Sequence, residues 1–472
     1  MSSAESTYDV VVLGAGATGE NLADAVVRSG LTAALVEAEL VGGECSYWAC
    51  MPSKALLRGS EAIAAARAVS GAAAAVTGEQ DVAATLARRN SFTSNWDDSG
   101  QVRWVEGAGI DLVRGTGRLE GERVVVVDVD GGQVRLTARH AVAVCTGSEA
   151  AVPPVEGLRD VGPWTPREAT SAKEVPGRLL VIGGGVVGCE MADAWSALGA
   201  TVTLLELGER LLPGLEPVAG ETVAAALRDK GVDVRVGSEV QAARREGGEV
   251  VVRTADGEVR GDQVLVAVGR RARTRDIGVD TVGLEPGAYL DVDDTLQVRG
   301  VPWLYGVGDV NGRRQLTHMG KYQARQAGAA IVARARGEQV RLADWSPCVA
   351  TADRAATPSV VFTDPQVASV GLTREQAEEA GLPHRVVEYP LGDVAGASLH
   401  ADGYRGTAVA VVDPEREVLL GATFVGPAVA ELLHAATIAV VGEVPIARLW
   451  HAVPAYPTIS EVWLRLLETY RG

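Results

Sequence analysis

An α/β fold is predicted for this chain by two copies of one pattern and by the interval each copy keeps. The apolar run "YDVVVLG" leads into Gly14-x-Gly16-x-x-Gly19, then a helix-like stretch, then "TAALVE" ending at Glu37. Far downstream "RLLVIGG" leads into Gly183-x-Gly185-x-x-Gly188, another helix-like stretch, and "TVTLLE" ending at Glu206. The acid trails the first glycine by the same interval both times, Gly14 to Glu37 and Gly183 to Glu206. Strand, glycine turn, helix and second strand make a βαβ unit, and two such units predict two Rossmann-like dinucleotide-binding domains.

Each element of the pattern has a physical reason. The first glycine permits the tight turn, the second lets the backbone approach a pyrophosphate, and the third allows helix and strand to pack closely. The helix start offers N–H groups and a positive dipole end to phosphate. The carboxylate closing the second strand accepts hydrogen bonds from a ribose diol. One such run could be a purely structural turn; two, each with its acid in register, predict two nucleotide cofactors, most simply FAD and a nicotinamide nucleotide.

The bulk properties agree with a folded, multidomain protein. At 472 residues the chain suggests two to four domains, and 47% hydrophobic with 22% charged residues is ordinary for a globular protein. A formal net charge of −17 argues against binding nucleic acid or an anionic lipid surface. Five cysteines are too few for a disulfide scaffold and, being odd in number, leave at least one thiol over. No run reaches the ~18 apolar residues of a membrane helix, and "MSSAESTYDVVVLGAG" has neither a basic start nor a cleavage signal. A cytoplasmic protein is expected, in a compartment where a disulfide is catalytic rather than structural. No metal site is expected.

Directly after Glu37 comes "GGECSYWACMPSKALL", with Cys45 and Cys50 in one short loop before a helix-like stretch. Taken alone, the cysteines could be small apolar filler. Paired Gly-x-Gly-x-x-Gly units around "GGxCxxxxCxPSK" resemble the flavoprotein disulfide reductases, which include dihydrolipoyl dehydrogenase, glutathione reductase and mercuric reductase. "CTGS" at Cys145–Ser148, "VAVGRRART" at Val266–Thr274 and "LYGVGDV" at Leu304–Val310 are similar to further family motifs. "VVFTDPQVASVGLT" and "GATFVGPAVAELL" resemble the family's carboxy-terminal α+β dimerisation domain, so the likeness spans essentially all 472 residues.

The resemblance implies a division of labour. Cys50 becomes the flavin-facing thiol and Cys45 the outer thiol that meets the substrate. A helix starting near Cys50, with Pro52 in its first turn, favours the thiolate there. Lys54 pairs with Glu190 near the flavin. FAD is held by Gly14, Gly16, Gly19, Glu37, Gly43, Lys54, Thr146, Gly147, Asp309, Thr317 and His318, the last two through their backbone. The nicotinamide nucleotide is held by Gly183, Gly185, Gly188, Glu206 and Gly269. Glu206 repels a 2′-phosphate and Leu207 and Gly208 supply no cation, so NAD(H) is favoured over NADP(H), with Arg210 the one residue that could favour the phosphate. Cys145, Cys189 and Cys348 are expected to be packed or inert.

One departure stands out. Near the carboxy terminus the family carries a histidine base, contributed across a homodimer, in a "HPTxSE"-like motif. Here "HAVPAYPTISEVW" aligns Tyr456 with that histidine and keeps Glu461, which orients it. Imidazole titrates near 6.5 and phenol near 10, so tyrosine can donate a proton but is a poor base at neutral pH. His451 lies across Pro454 and is not placed at the site by the motif. Tyr456 resembles the mercuric reductase and soluble transhydrogenase branches. Cys50 argues against pure hydride shuttling, and the vicinal cysteine pair of mercuric reductase is not found. Tyr47 and Trp48 are bulky for this loop, which would narrow access to Cys45.

The expected organisation is an FAD-binding domain (1–150), an NAD(P)-binding domain (151–272), a return to the flavin domain (273–343) and an interface domain (344–472). The expected function is transfer of hydride from NAD(P)H through FAD to the Cys45–Cys50 disulfide, and on to a disulfide, quinone or other small electrophilic acceptor. Dihydrolipoyl dehydrogenase, a transhydrogenase-like activity and flavin binding without turnover are the alternatives.

Overall fold

The computed structural model describes residues 4–472, which form two compact units. The first comprises residues up to Pro52, Asn90–Ala150 and Arg270–Asp353. The second comprises Ser53–Arg89, Ala151–Gly269 and Arg354–Gly472.

In the first unit the central strand Ala4–Leu13 lies between two parallel neighbours, Ala33–Glu37 and Gly132–Val144. Val10, Val11 and Val12 are fully buried. An unbroken apolar run of this kind, rather than an alternating one, belongs to a parallel sheet covered on both faces. The helix Ala17–Arg28 buries Gly19, Leu22, Ala23 and Val26, one stripe at helical spacing. Strand Gly132–Val144 is shared along its length. Its first half pairs antiparallel with Val124–Val129, and its last residues pair parallel with Leu304–Gly306. A later segment of the chain thereby returns to the same sheet. The helix Thr317–Ala335 lies on Ala17–Arg28 at small residues: a Cβ on Gly328 would meet Ala25 Cβ at 2.9 Å.

In the second unit a four-stranded parallel sheet runs in the order Asp233–Arg235, Thr201–Leu205, Arg178–Ile182, Gln263–Val266. Its helix Val186–Ala197 is buried at every position from Gly188 to Trp195. A three-stranded meander, Val240–Glu246, Glu249–Thr254 and Gly257–Gly261, follows. The carboxy-terminal part is a five-stranded antiparallel sheet in the order Pro358–Val361, Gln366–Gly371, Val418–Gly426, Thr407–Asp413, Arg385–Pro390, accompanied by the helices Leu433–Val441 and Val462–Arg471. The mixed α/β architecture with a carboxy-terminal α+β part is the fold class that the sequence predicts. No helix among the described residues is long and apolar enough to cross a membrane.

Candidate active site

The cysteine loop is seated by glycine. Gly42 and Gly43 adopt φ of +111° and +60°, and a Cβ on Gly43 would lie 2.8 Å from Gly16 Cα. The loop is therefore pressed onto the first nucleotide turn, where Gly42 N also donates to Ala15 O at 2.8 Å. A short helix, Gly43–Tyr47, carries Cys45, and the helix Cys50–Arg67 begins at Cys50 itself. Thr317 Oγ1 stands 3.2 Å from Cys50 Sγ, and the half-buried Cys45 thiol lies within the influence of both. The neighbouring Cys50 thiol pushes the Cys45 thiol up and burial adds to it, while Thr317 and Lys321 pull the other way. Of the two bulky loop residues, Tyr47 does not narrow the approach to Cys45. Its ring is buried and its hydroxyl donates to Val41 O at 3.1 Å.

The turn behind the loop fits a dinucleotide. Gly14 has φ of +97°, and a Cβ there would come 2.5 Å from Cys145 O; at Gly19 it would come 1.9 Å from Gly14 O. Those two glycines are needed by the fold. Gly16 is different: a Cβ would meet only Gly43 Cα at 4.0 Å, so its missing side chain leaves space above an uncapped helix start. Glu37 closes the cradle, accepting from Ala15 N at 2.7 Å and Glu39 N at 2.8 Å, and burial holds its carboxyl above the usual range. An open glycine, helix N–H groups and a carboxylate at the strand end match the adenosine half of FAD.

A charged network joins the other motifs of this unit. Asp309 Oδ2 accepts from Ser148 Oγ at 2.6 Å, and burial raises its carboxyl. Arg270 donates to Ser148 Oγ at 2.6 Å and Ser148 O at 2.8 Å, and its guanidinium lies 3.9 Å from Asp309 and 4.0 Å from Glu44. Arg273 donates to Glu44 at 3.1 Å. Thr146 Oγ1 donates to Arg273 O at 2.7 Å, Gly147 has φ of +71°, and His318 is exposed beside Thr317. Sequence reasoning missed Glu44, Arg270 and Arg273. Their signal was charge inside two motifs already singled out, "GGEC" and "GRRART".

The second unit repeats the cradle. Gly183 has φ of +107° with a Cβ 2.5 Å from Ala267 O, and at Gly188 a Cβ would come 1.8 Å from Gly183 O. Around Gly185 nothing lies within 4 Å. Glu206 accepts from Gly184 N and, at 2.6 Å, from Gly208 N. Arg210 is committed elsewhere, donating to both oxygens of Glu375 at 2.8 and 2.7 Å and to Pro213 O at 3.0 Å. Gly269, at φ +126°, ends the middle segment of this unit.

Four further predicted residues, Lys54, Glu190, Tyr456 and Glu461, also lie in the second unit. Lys54 donates to Glu190 Oε2 at 2.6 Å and stands 4.9 Å over the Phe362 ring, while Phe362 N donates to Glu190 Oε1 at 3.0 Å. The Glu190 side chain is 3% exposed, so Lys54 neutralises an otherwise isolated buried charge. Glu461 is buried and accepts from Arg465 at 2.6 Å, with its Oε2 left without a hydrogen-bond partner. Tyr456 is 75% exposed, and Val453 beside it 84%. The carboxylate and the phenol are thus not joined within one chain. Cys145 and Cys189 are buried, and burial pushes both thiols up, as expected of packed residues.

Comparison with known proteins agrees with this geometry. A family model described as pyridine nucleotide-disulphide oxidoreductase matches residues 8–328, and one for the dimerisation domain of such proteins matches residues 357–466. The chain is 33% identical over 465 residues to dihydrolipoyl dehydrogenase 3 of Pseudomonas aeruginosa, covering 96% of each chain. It is 32% identical over 462 residues to mercuric reductase of Shigella flexneri, covering 96% of this chain and 79% of the relative. Among solved structures, the HOCl-induced flavoprotein disulfide reductase RclA from Escherichia coli is similar with a TM-score of 0.82 at 25% identity, covering 98% of this chain and 99% of that one. The chain belongs to the pyridine nucleotide-disulphide oxidoreductase family and is an FAD-dependent, nicotinamide-linked oxidoreductase acting on sulfur.

Proposed function

We propose that this enzyme uses NADH to reduce the Cys45–Cys50 disulfide and passes the electron pair to a small disulfide, quinone or other electrophile. The observation that carries this reading is the contact of Cys45, Cys50 and Thr317 through sulfur and hydroxyl in one cluster, on a loop pressed against a nucleotide cradle. Reduction takes up a hydride equivalent and a proton, breaks the S–S bond and leaves two thiols. Bound FAD supplies the two-electron carrier between nicotinamide and sulfur. Cys50, at the start of its helix, holds the thiolate, and Cys45 exchanges with the acceptor. Lys54, in the first turns of the same helix, pairs with Glu190 at 2.6 Å. Glu206 takes the ribose diol, and with Arg210 held by Glu375 the crevice offers a 2′-phosphate no cation, which supports NADH.

The working assembly is a cytoplasmic homodimer. Flavin binding falls to 1–150 and 273–343, nicotinamide binding to 151–272 and subunit association to 344–472. Exposed Tyr456 and Val453 are suited to burial against a second copy, where Tyr456 would meet the partner's acceptor site as a proton donor.

The name of the Pseudomonas relative supports a second reading, dihydrolipoyl dehydrogenase. Against it stands Tyr456: removing positioned acid–base help costs ~10²–10⁴-fold, which a dithiol substrate feels most. Anaerobic titration with NADH tests the main reading. Two electrons should produce a long-wavelength absorbance band that Cys50→Ser abolishes, with disulfide reduction falling on the order of 10³-fold in that variant. Retention of full disulfide reduction by Cys50→Ser would refute it. Rapid NAD⁺ reduction by dihydrolipoamide would favour the second.

A further inference from the structure

With Tyr456 a poor base, the acidity of the outer thiol depends on what surrounds it within the first unit. The helix Thr317–Ala335 meets the cysteine pair with its first turn, through Thr317 Oγ1. Lys321 follows four positions later, so its side chain leaves the helix on the same face. That face cannot drift. A Cβ on Gly320 would come 2.3 Å from Thr18 Oγ1 and 3.7 Å from Gly308 Cα, which pins the helix onto Ala17–Arg28 at the residue before Lys321. Two residues beyond Thr18 stands Glu20, whose Oε1 is buried without a hydrogen-bond partner. Lys321 is exposed, forms no ion pair among the described residues, and acts electrostatically on both Cys45 and Glu20.

We propose that Lys321 favours the Cys45 thiolate from within the same subunit, and that Glu20 is the counter-charge that limits this effect. The proposal rests on reading Cys45 and Cys50 as the redox pair. In the step concerned the Cys45 S–H bond breaks, the proton passes to solvent, and the sulfur keeps the electron pair with which it attacks an acceptor. An ammonium group favours the thiolate, and it does so without needing the deprotonation that a general base requires. The groups that bear on the pair come from four elements. Cys50 and Thr317 face Cys45 from the helices Cys50–Arg67 and Thr317–Ala335. Glu37, ending its strand, and Tyr47, on the short loop helix, face Glu20. Glu44, next to Cys45, is itself paired with Arg273.

The test is the rate at which Cys45 of the FAD-loaded enzyme is alkylated by iodoacetamide between pH 6 and 9, read on the Cys45 peptide by mass spectrometry. Each variant is reduced once with NADH and once with a phosphine. Lys321→Met should slow alkylation at pH 7 by roughly threefold to tenfold and move the profile to higher pH, and Lys321→Arg should restore it. Glu20→Gln should speed alkylation by roughly twofold above pH 7, where Glu20 carries its charge, and leave it unchanged near pH 6, which tests the pair even if Lys321→Met loses its flavin. Unchanged profiles in Lys321→Met or Glu20→Gln, or slowing in Lys321→Arg equal to that in Lys321→Met, would overturn the proposal. Failure of NADH to expose the two thiols, where the phosphine does, would instead overturn the redox-pair reading and leave the Lys321 measurement intact.

Discussion

The two nucleotide cradles are built alike to a few tenths of an ångström yet differ at the residues that follow their third glycines. Gly14 and Gly183 share a positive φ, 97° and 107°, and an equal 2.5 Å approach to a facing carbonyl. Gly19 and Gly188 sit equally close to the carbonyl of the first glycine, at 1.9 and 1.8 Å. Glu37 and Glu206 each accept two backbone N–H groups. Beyond Gly19 come Glu20 and Asn21, whereas beyond Gly188 come Cys189 and Glu190. Asn21 merely donates back to Ala17 O at 2.8 Å, while Glu190 is the buried partner of Lys54. The shared residues are those that shape a pyrophosphate turn, and the divergent ones face whatever else each unit does. One cradle borders the thiols. The other anchors a lysine.

The sharpest way to break the likeness is to fill each cradle. Gly16 and Gly185 have φ of −71° and −74°, which any residue accepts, and open space where a side chain would go. Gly16→Val should fold and lose flavin, its FAD affinity falling on the order of 10²-fold, about 2.7 kcal/mol. Gly185→Val should stay yellow, while NADH reduces its flavin on the order of 10²-fold more slowly at low NADH. Flavin content by absorbance and stopped-flow bleaching separate the two. If both variants lost flavin, or neither, the assignment of one cofactor to each cradle would fail.

A smaller change sharpens the same contrast at the ribose. A hydrogen bond to a charged group is worth about 1.5–3 kcal/mol, so Glu206→Ala should raise the KM for NADH roughly 10- to 100-fold and leave flavin content alone. Glu37→Ala should do the reverse, weakening FAD by a similar factor. Measured NADPH turnover in Glu206→Ala should stay low, because Arg210 remains held by Glu375.

Much of this was legible because the constraint was local. A turn that admits only glycine and a strand buried on both faces write themselves into consecutive residues, so both cradles and the cysteine loop could be read directly. Lys54 and Glu190 were paired from motif alone and meet at 2.6 Å. What escaped were partners distant in the chain with no periodic signature. Arg273 reaches Glu44 across 229 positions, and Gly320 abuts Thr18 with no sequence mark beyond one glycine inside a helix. Tyr47 misled because size suggests obstruction only when the ring points outward, and here it fills the interior. The commitment of Arg210 was invisible for the same reason, since Glu375 lies in the carboxy-terminal segment.

The subtlest difference between the cradles is the carboxyl at Glu20 against the thiol at Cys189. Burial raises Glu20 to about 7, Lys321 opposes the shift and Glu37 adds to it. A free glutamate titrates near 4.5, so between that value and 7 the folded chain binds a proton that the unfolded chain has released. Stability therefore falls as pH rises through this window, and the loss is complete above the folded value. Glu20→Gln, which cannot ionise, should melt about 2–4 °C above the parent at pH 8 and coincide with it at pH 5. Cys189 is buried and pushed upward, so it stays protonated throughout this range. Cys189→Ser should shift the melting temperature by one fixed amount at every pH from 5 to 8. If the parent and Glu20→Gln ran parallel across that range, Glu20 would be ionised throughout, and the two cradles would be electrostatically alike after all.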